Sequence, residues 1–248
     1  MRRAQLKAGG LEAWVIEPDD TAAPPDLNVV LAHGYGAPAD DLVGLAPELA
    51  AENGELGRRV RWIFPGAPLS LEEMGVLTGS AWWHLDIEAL LSGRDWNRYV
   101  EETPEGLEKA RRMLRVLLEE VIARTGIPIS RTVLGGFSQG AMLATDLALR
   151  LEEPPAGLVI LSGSLIARAA WAERVAHRAA MPVFMSHGRL DPLLPFDVAE
   201  QLRQLFVDAG AVVTHVPFEG QHTLSFEVLE GLAGWLGDRL RAVQSSRG

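Results

Sequence analysis

Thr132-Val133-Leu134-Gly135-Gly136-Phe137-Ser138-Gln139-Gly140-Ala141 is an apolar run that ends in Gly-x-Ser-x-Gly and passes directly into a segment with almost no polar face. A short, unbroken apolar run reads as a strand covered on both sides. A helix that is apolar all round belongs in the interior, and Ala141, Met142, Leu143, Ala144, Leu147, Ala148, Leu149 and Leu151 make residues 139–151 such a helix. A buried strand turning sharply into a buried helix holds its apex residue in a strained conformation that projects past the sheet edge. Glycines at 136 and 140 fit that turn, because side chains there would collide where the two backbones approach. Gly-x-Ser-x-Gly is common by chance, and a serine at such a turn can simply cap a helix. The strand–turn–helix context favours Ser138 as a nucleophile.

The same alternation extends in both directions. Apolar runs at 11–16, 29–33, 60–64, 158–162, 183–187 and 212–218 join 132–137 as expected strands, with helical patterns near 40–51, 104–125, 168–178, 197–209 and 224–240 between them. Strands alternating with helices predict an α/β fold with a mostly parallel central sheet and helices on both faces. In the clearest helix, 104–125, Leu107, Ala110, Leu114, Leu117, Leu118, Val121 and Ile122 form one stripe, Thr103 and Pro104 suit its start, and Gly126 and Pro128 stop it. Residues 21–26 read as a surface turn, residues 65–103 are the least regular and carry Trp82, Trp83 and Trp96, and 244–248 reads as a frayed tail.

Composition narrows the function. The 248 residues suit one domain, at roughly 100–200 residues each. With 33 acidic against 23 basic residues the formal charge is −10, which argues against nucleic acid or an anionic membrane as the main partner. Cysteine is absent, which excludes thiol nucleophiles, disulfides and cysteine-based metal sites. No apolar stretch approaches the 18 residues of a spanning helix, and Lys7, Glu12 and Glu17 interrupt anything resembling a signal peptide. The expectation is a soluble, cytoplasmic protein.

A serine hydroxyl needs a base, and the base needs an orienting acid. In this topology both should follow later strands, in the order serine, acid, histidine. Asp191 lies in the loop after 183–187 and His222 in the loop after 212–218. The other candidates have plainer roles. His215 is a pleat position in a strand, His177 sits on a helix surface, His187 supports the Asp191 loop, and Asp197 and Asp208 are helix-end residues. Acyl transfer also needs backbone N–H groups aimed at the developing oxyanion. Gln139, after the nucleophile, and Tyr35, in the loop after strand 29–33, are the expected donors, with His33 and Gly34 holding that loop.

Together His33-Gly34-Tyr35-Gly36-Ala37, Gly135-Gly136-Phe137-Ser138-Gln139-Gly140-Ala141, His187-Gly188-Arg189-Leu190-Asp191-Pro192-Leu193-Leu194-Pro195 and Glu219-Gly220-Gln221-His222 resemble the carboxylesterase/phospholipase family of α/β-hydrolases that includes the acyl-protein thioesterases. The likeness covers about residues 27–240, and Ala81-Trp82-Trp83 is similar to a Trp-Phe element that borders the family's cleft. It implies a compact α/β-hydrolase fold without a large lid domain, no metal or organic cofactor, and hydrolysis of esters or thioesters of short to medium acyl chains. Trp83, Gln221 and Arg189 depart from the family pattern at positions near the substrate, and residues 86–103 are extended relative to it.

Leu69, Met74, Leu77, Trp82, Trp83, Leu165 and Ile166 lie in loops near the strand ends and are the candidate apolar lining of a substrate cleft. Three readings remain: hydrolysis of a small ester or thioester, transfer of the acyl group to another acceptor such as peroxide or an alcohol, and non-catalytic binding on the same fold. The reading leaves open a homodimer through an exposed Trp-rich loop.

Overall fold

The computed structural model describes residues 1–19, 24–91 and 96–246. Among them the strands are β1 (Arg2–Ala8), β2 (Leu11–Glu17), β3 (Leu27–Ala32), β4 (Val60–Pro65), β5 (Leu69–Ser70), β6 (Ser80–Ala81), β7 (Thr132–Phe137), β8 (Gly157–Leu161), β9 (Pro182–Gly188) and β10 (Val212–Phe218). The helices are α1 (Leu45–Glu52), α2 (Gly54–Arg59), α3 (Ile87–Leu91), α4 (Trp96–Glu101), α5 (Leu107–Thr125), α6 (Gln139–Arg150), α7 (Arg168–Val175), α8 (Phe196–Asp208) and α9 (Phe226–Ser245). Eight strands form one sheet in the order β1-β2-β4-β3-β7-β8-β9-β10. From β4 to β10 every pairing is parallel, while β1 and β2 run antiparallel at one edge. The mostly parallel α/β architecture expected from the alternation is present.

Each central strand feeds two cores, which is why its sequence is apolar without alternation. Val30, Ala32, Leu134, Leu158 and Ile160 face α5, α6, α7 and α8 on one side. Val29, Leu31, Val133, Val159 and Leu161 pack with α1, α2 and α9 on the other. Helix α6 is buried from Gln139 to Leu149, as its composition predicted. Its one carboxylate, Asp146, is fully buried and satisfied by Arg111 Nη1 at 2.7 Å, Arg150 Nε at 3.1 Å and Trp171 Nε1 at 2.9 Å.

Several boundaries differ from the expectation. Strand β1 was not expected, because its Arg-Arg-Ala-Gln-Leu-Lys composition is that of an exposed edge, where charge discourages pairing with other chains. Gly9 and Gly10, at φ 60° and 75°, form the two-residue turn joining β1 to β2. Helix α5 starts at Leu107, not near Thr103. Gly106 precedes it at φ 91°, packed so closely that a Cβ would lie 2.9 Å from Trp83 Cβ. The tail expected to fray is helical through Ser245, and Gln244 Nε2 donates to Asp26 Oδ2 at 3.0 Å. The expected turn at 21–26 falls partly on residues outside those described, as do the last two residues of the tail and the Trp96 side chain.

Candidate active site

The carboxyl ends of β3, β7, β9 and β10 supply the site. Strand β7 ends at Phe137, and Ser138 follows at φ 54°, ψ −118°, a region that L-residues occupy at a cost of about 1–3 kcal/mol. The surroundings hold it there: Ser138 N–H donates to Leu161 O at 2.8 Å, and Ser138 O accepts from Ala141 and Met142 N–H at 3.0 and 3.2 Å. The flanking glycines make room. A Cβ on Gly136 would sit 2.6 Å from Gly140 C, and one on Gly140 would sit 2.5 Å from His33 O. The packing expected at the turn thus also involves the end of β3.

Asp191 and His222 meet across the loops after β9 and β10. His222 Nδ1 donates to Asp191 Oδ2 at 2.6 Å, while Asp191 Oδ1 accepts from the Leu193 and Leu194 N–H groups at 2.8 and 2.9 Å. The loops are stitched by Arg189 N–H to Phe218 O and Leu190 N–H to Gly220 O, both at 2.9 Å. Gly188 permits the approach, since a Cβ there would lie 2.9 Å from Gly220 C. Burial alone would raise the Asp191 pKa, but hydrogen bonds from His187, His222 and Leu194 outweigh it and hold the carboxyl well below the usual carboxylate range. Asp191 is therefore an anion that fixes the imidazole with its proton on Nδ1, leaving Nε2 for a hydroxyl. The His222 ring lies 4.8 Å from the Phe137 ring, beside the Ser138 turn. Among the described residues no hydrogen bond joins Ser138 to His222. In ligand-free sites that contact is commonly long and tightens when substrate binds.

The loop after β3 lies beside this turn; a Cβ on Gly34 would be 3.3 Å from Ser138 Cβ. The N–H groups of Tyr35 and Gln139 have no acceptor among the described residues, and Gln139 heads α6, whose dipole adds positive potential. His33 is buried and braces the loop: Nε2 accepts from Ala67 N–H at 3.0 Å and Nδ1 donates to Gly34 O at 2.8 Å. Burial lowers its pKa, only partly offset by that carbonyl, so the ring is neutral in the tautomer these partners demand.

Four of the seven expected lining residues are core. Trp82 and Trp83 are 2% and 1% exposed, and Leu165 and Ile166 are equally buried, so the expected exposed tryptophan loop is corrected. The indoles take a different place. Trp82 Nε1 donates to His33 O at 2.9 Å, Gln139 Oε1 accepts from Trp82 N–H at 3.0 Å, and Gln139 Nε2 donates to Trp83 O at 2.8 Å. This lattice of bonds ties the β3 loop to the residue after Ser138. The Gln139 side chain was missed in the sequence because only its backbone was considered. Leu69 is half-buried in β5, while Met74 and Leu77 are exposed in the β5–β6 connection.

His187 was expected to support the Asp191 loop. Its buried ring does so through Nε2–H to Leu194 O at 2.8 Å, with the same nitrogen 3.3 Å from Asp191 Oδ2. His215 faces Glu200 at 3.3 Å on β10, and His177 is exposed. Among the described residues no cluster of three or more His, Asp or Glu could hold a metal ion, and no helix is long and apolar enough to cross a membrane.

Comparison with known proteins finds relatives that span nearly the whole chain. Acyl-protein thioesterase 1 of Debaryomyces hansenii is 27% identical over 230 residues, covering 89% of this chain and 94% of the relative. That of Eremothecium gossypii is 28% identical over 227 residues, covering 89% and 91%. Among solved structures, esterase PE8 superposes with a TM-score of 0.74 at 25% identity, covering 96% of this chain and 99% of the other. The Bacillus cereus carboxylesterase shares the fold, with a TM-score of 0.67 at 19% identity over 92% and 94%. The phospholipase/carboxylesterase family profile matches residues 12–237, nearly the whole chain. With that match spanning the serine turn, the aspartate and histidine loops and the sheet that carries them, the chain belongs to the phospholipase/carboxylesterase family of α/β-hydrolases.

Proposed function

We propose that this protein hydrolyses carboxylic esters or thioesters through an acyl-enzyme on Ser138. The observation that carries the reading is the 2.6 Å Asp191–His222 bond beside a serine held at φ 54° at the head of a buried helix. The names of the relatives, acyl-protein thioesterase and esterase, support the same substrate class.

Ser138 Oγ attacks the acyl carbon as His222 Nε2 takes its proton, and Asp191 stabilises the imidazolium. The carbonyl oxygen becomes an oxyanion facing the N–H groups of Tyr35 and Gln139; loss of one such donor typically costs about 3–4 kcal/mol of transition-state stabilisation. The carbon–oxygen or carbon–sulfur bond then breaks as His222 passes the proton to the leaving alcohol or thiol. Water attacks the acyl-enzyme by the reverse proton route, releasing the acid and restoring Ser138.

The acyl chain runs along the β5–β6 hairpin, which is pinned to the oxyanion loop by Gly36 N–H to Ser80 O at 2.9 Å and Ser80 N–H to Ala37 O at 3.1 Å. Leu69, Met74 and Leu77 offer an apolar but open surface there, which suits short and medium chains better than long ones. The test is an acyl-length series of aryl esters and thioesters with the wild type and Ser138→Ala. Turnover should peak at short to medium chains and vanish in the variant. Undiminished turnover by Ser138→Ala refutes the reading.

A further inference from the structure

A groove of about 350 Å³ opens on the imidazole side of the site, between α1 with its preceding turn and residues 222–224. Its walls include His222 and Phe137, and Leu42, Leu45 and Leu224 make the remainder largely apolar. Asp41 and Glu48 also line it, and no lysine or arginine does among the described residues. Neither Asp41 nor Glu48 pairs with a lysine or arginine among the described residues.

We propose that this groove receives the leaving group and selects an alcohol or thiol that is bulky near the ester and positively charged beyond it, such as an amino alcohol bearing a quaternary ammonium. The inference rests on the hydrolase reading above. When the tetrahedral intermediate collapses, the leaving oxygen or sulfur takes its proton from His222, so its substituent must lie on the imidazole side. The acyl chain then occupies the opposite side, toward the hairpin anchored on the oxyanion loop. A chain leaving past His222 meets the apolar wall first and the two carboxylates at the rim, where a cation is attracted and an anion repelled.

Gly44 provides a steric probe. It lines the groove at φ −61°, and a Cβ there would meet nothing within 4 Å, so a larger residue fills the groove without backbone strain. The experiment compares butyrate esters of choline, of its neutral isostere 3,3-dimethylbutanol and of methanol. The enzymes are wild type, Gly44→Phe and Asp41→Asn/Glu48→Gln. The wild type should favour the choline ester over the isostere by about three- to tenfold in kcat/KM at low salt, the range expected of two partly screened charge pairs. That preference should fall towards unity in the doubly neutralised variant and in 0.5 M salt.

Gly44→Phe should slow both bulky esters at least about fivefold, because the ring takes the space their leaving groups need, while sparing the methyl ester. A fluorophosphonate probe, which expels only fluoride, reports whether each variant keeps an intact site; if Gly44→Phe fails to label, the charge arm decides alone. A wild type indifferent to the positive charge, or a preference unchanged by neutralisation, overturns the proposal. A wild type inactive on all three esters overturns the hydrolase reading instead.

Discussion

Replacing Gln139 by leucine separates what its side chain does from what its backbone does. The side chain is fully buried and bonds Trp82 N–H and Trp83 O, whereas its own N–H has no acceptor among the described residues and is the proposed oxyanion donor. Leucine keeps the volume and the helix but leaves a buried donor and a buried acceptor unpaired. Each such orphan costs about 1–3 kcal/mol, so together they destabilise the protein by roughly 2–6 kcal/mol. At about 2–4 °C per kcal/mol for a chain of this size, the middle of that range lowers Tm by about 12 °C. The same bonds hold the segment whose Trp82 indole fixes His33 O, so the Tyr35 amide loses its support. The kcat should therefore fall even below the new Tm, by up to the roughly 10²–10³ of a lost oxyanion donor. Thermal unfolding by circular dichroism and kcat at 15 °C are the assays. A variant with wild-type Tm and wild-type kcat would refute the bridge between the two tryptophans and the oxyanion loop.

Asp191→Asn should fold yet lose about 10⁴ in kcat, because an amide leaves the imidazole free to adopt the wrong tautomer; steady-state rates decide this. The same pair of proteins tests the depressed Asp191 pKa. A carboxylate whose folded pKa lies below its unfolded value, near 3.9, adds stability that is fully present above that value and is lost as pH falls towards the folded pKa. Urea titrations should therefore show the wild-type advantage over Asp191→Asn at pH 6 shrinking steadily below about pH 4, and a constant difference would contradict the assignment. Asp146→Ala strands the Arg111 and Arg150 guanidinium groups and the Trp171 N–H. It should cost about 3–5 kcal/mol, read by denaturant unfolding, while the folded fraction retains its kcat.

What the sequence made legible follows from burial. The strands of the parallel sheet could be read because two-sided cover favours unbroken apolar runs, as in Val29-Val30-Leu31-Ala32 and Gly157–Leu161. The serine turn could be read because close backbone approach demands glycine at 136 and 140. Asp191 and His222 followed from strand order. Strand β1 stayed hidden because an exposed edge has no apolar pattern, and β5 and β6 because two-residue strands carry no periodicity. Helix α2, Gly-Glu-Leu-Gly-Arg-Arg, buries only Leu56 and so shows no stripe. The tryptophans misled for a different reason. Residues 82 and 83 sit in a loop, and loops usually lie on the surface, but this one is drawn into the core by bonds from both of its backbone groups to one glutamine. A side chain that satisfies two distant backbone atoms leaves no local mark in a sequence.

The central claim is that Ser138 is the nucleophile and that His222 activates it. Fluorophosphonate labelling followed by intact-mass measurement and peptide mapping tests it most directly, on wild type and His222→Ala. A single adduct located on Ser138 is expected, formed orders of magnitude more slowly in the variant. An adduct on another residue, or a labelling rate indifferent to His222, would contradict it.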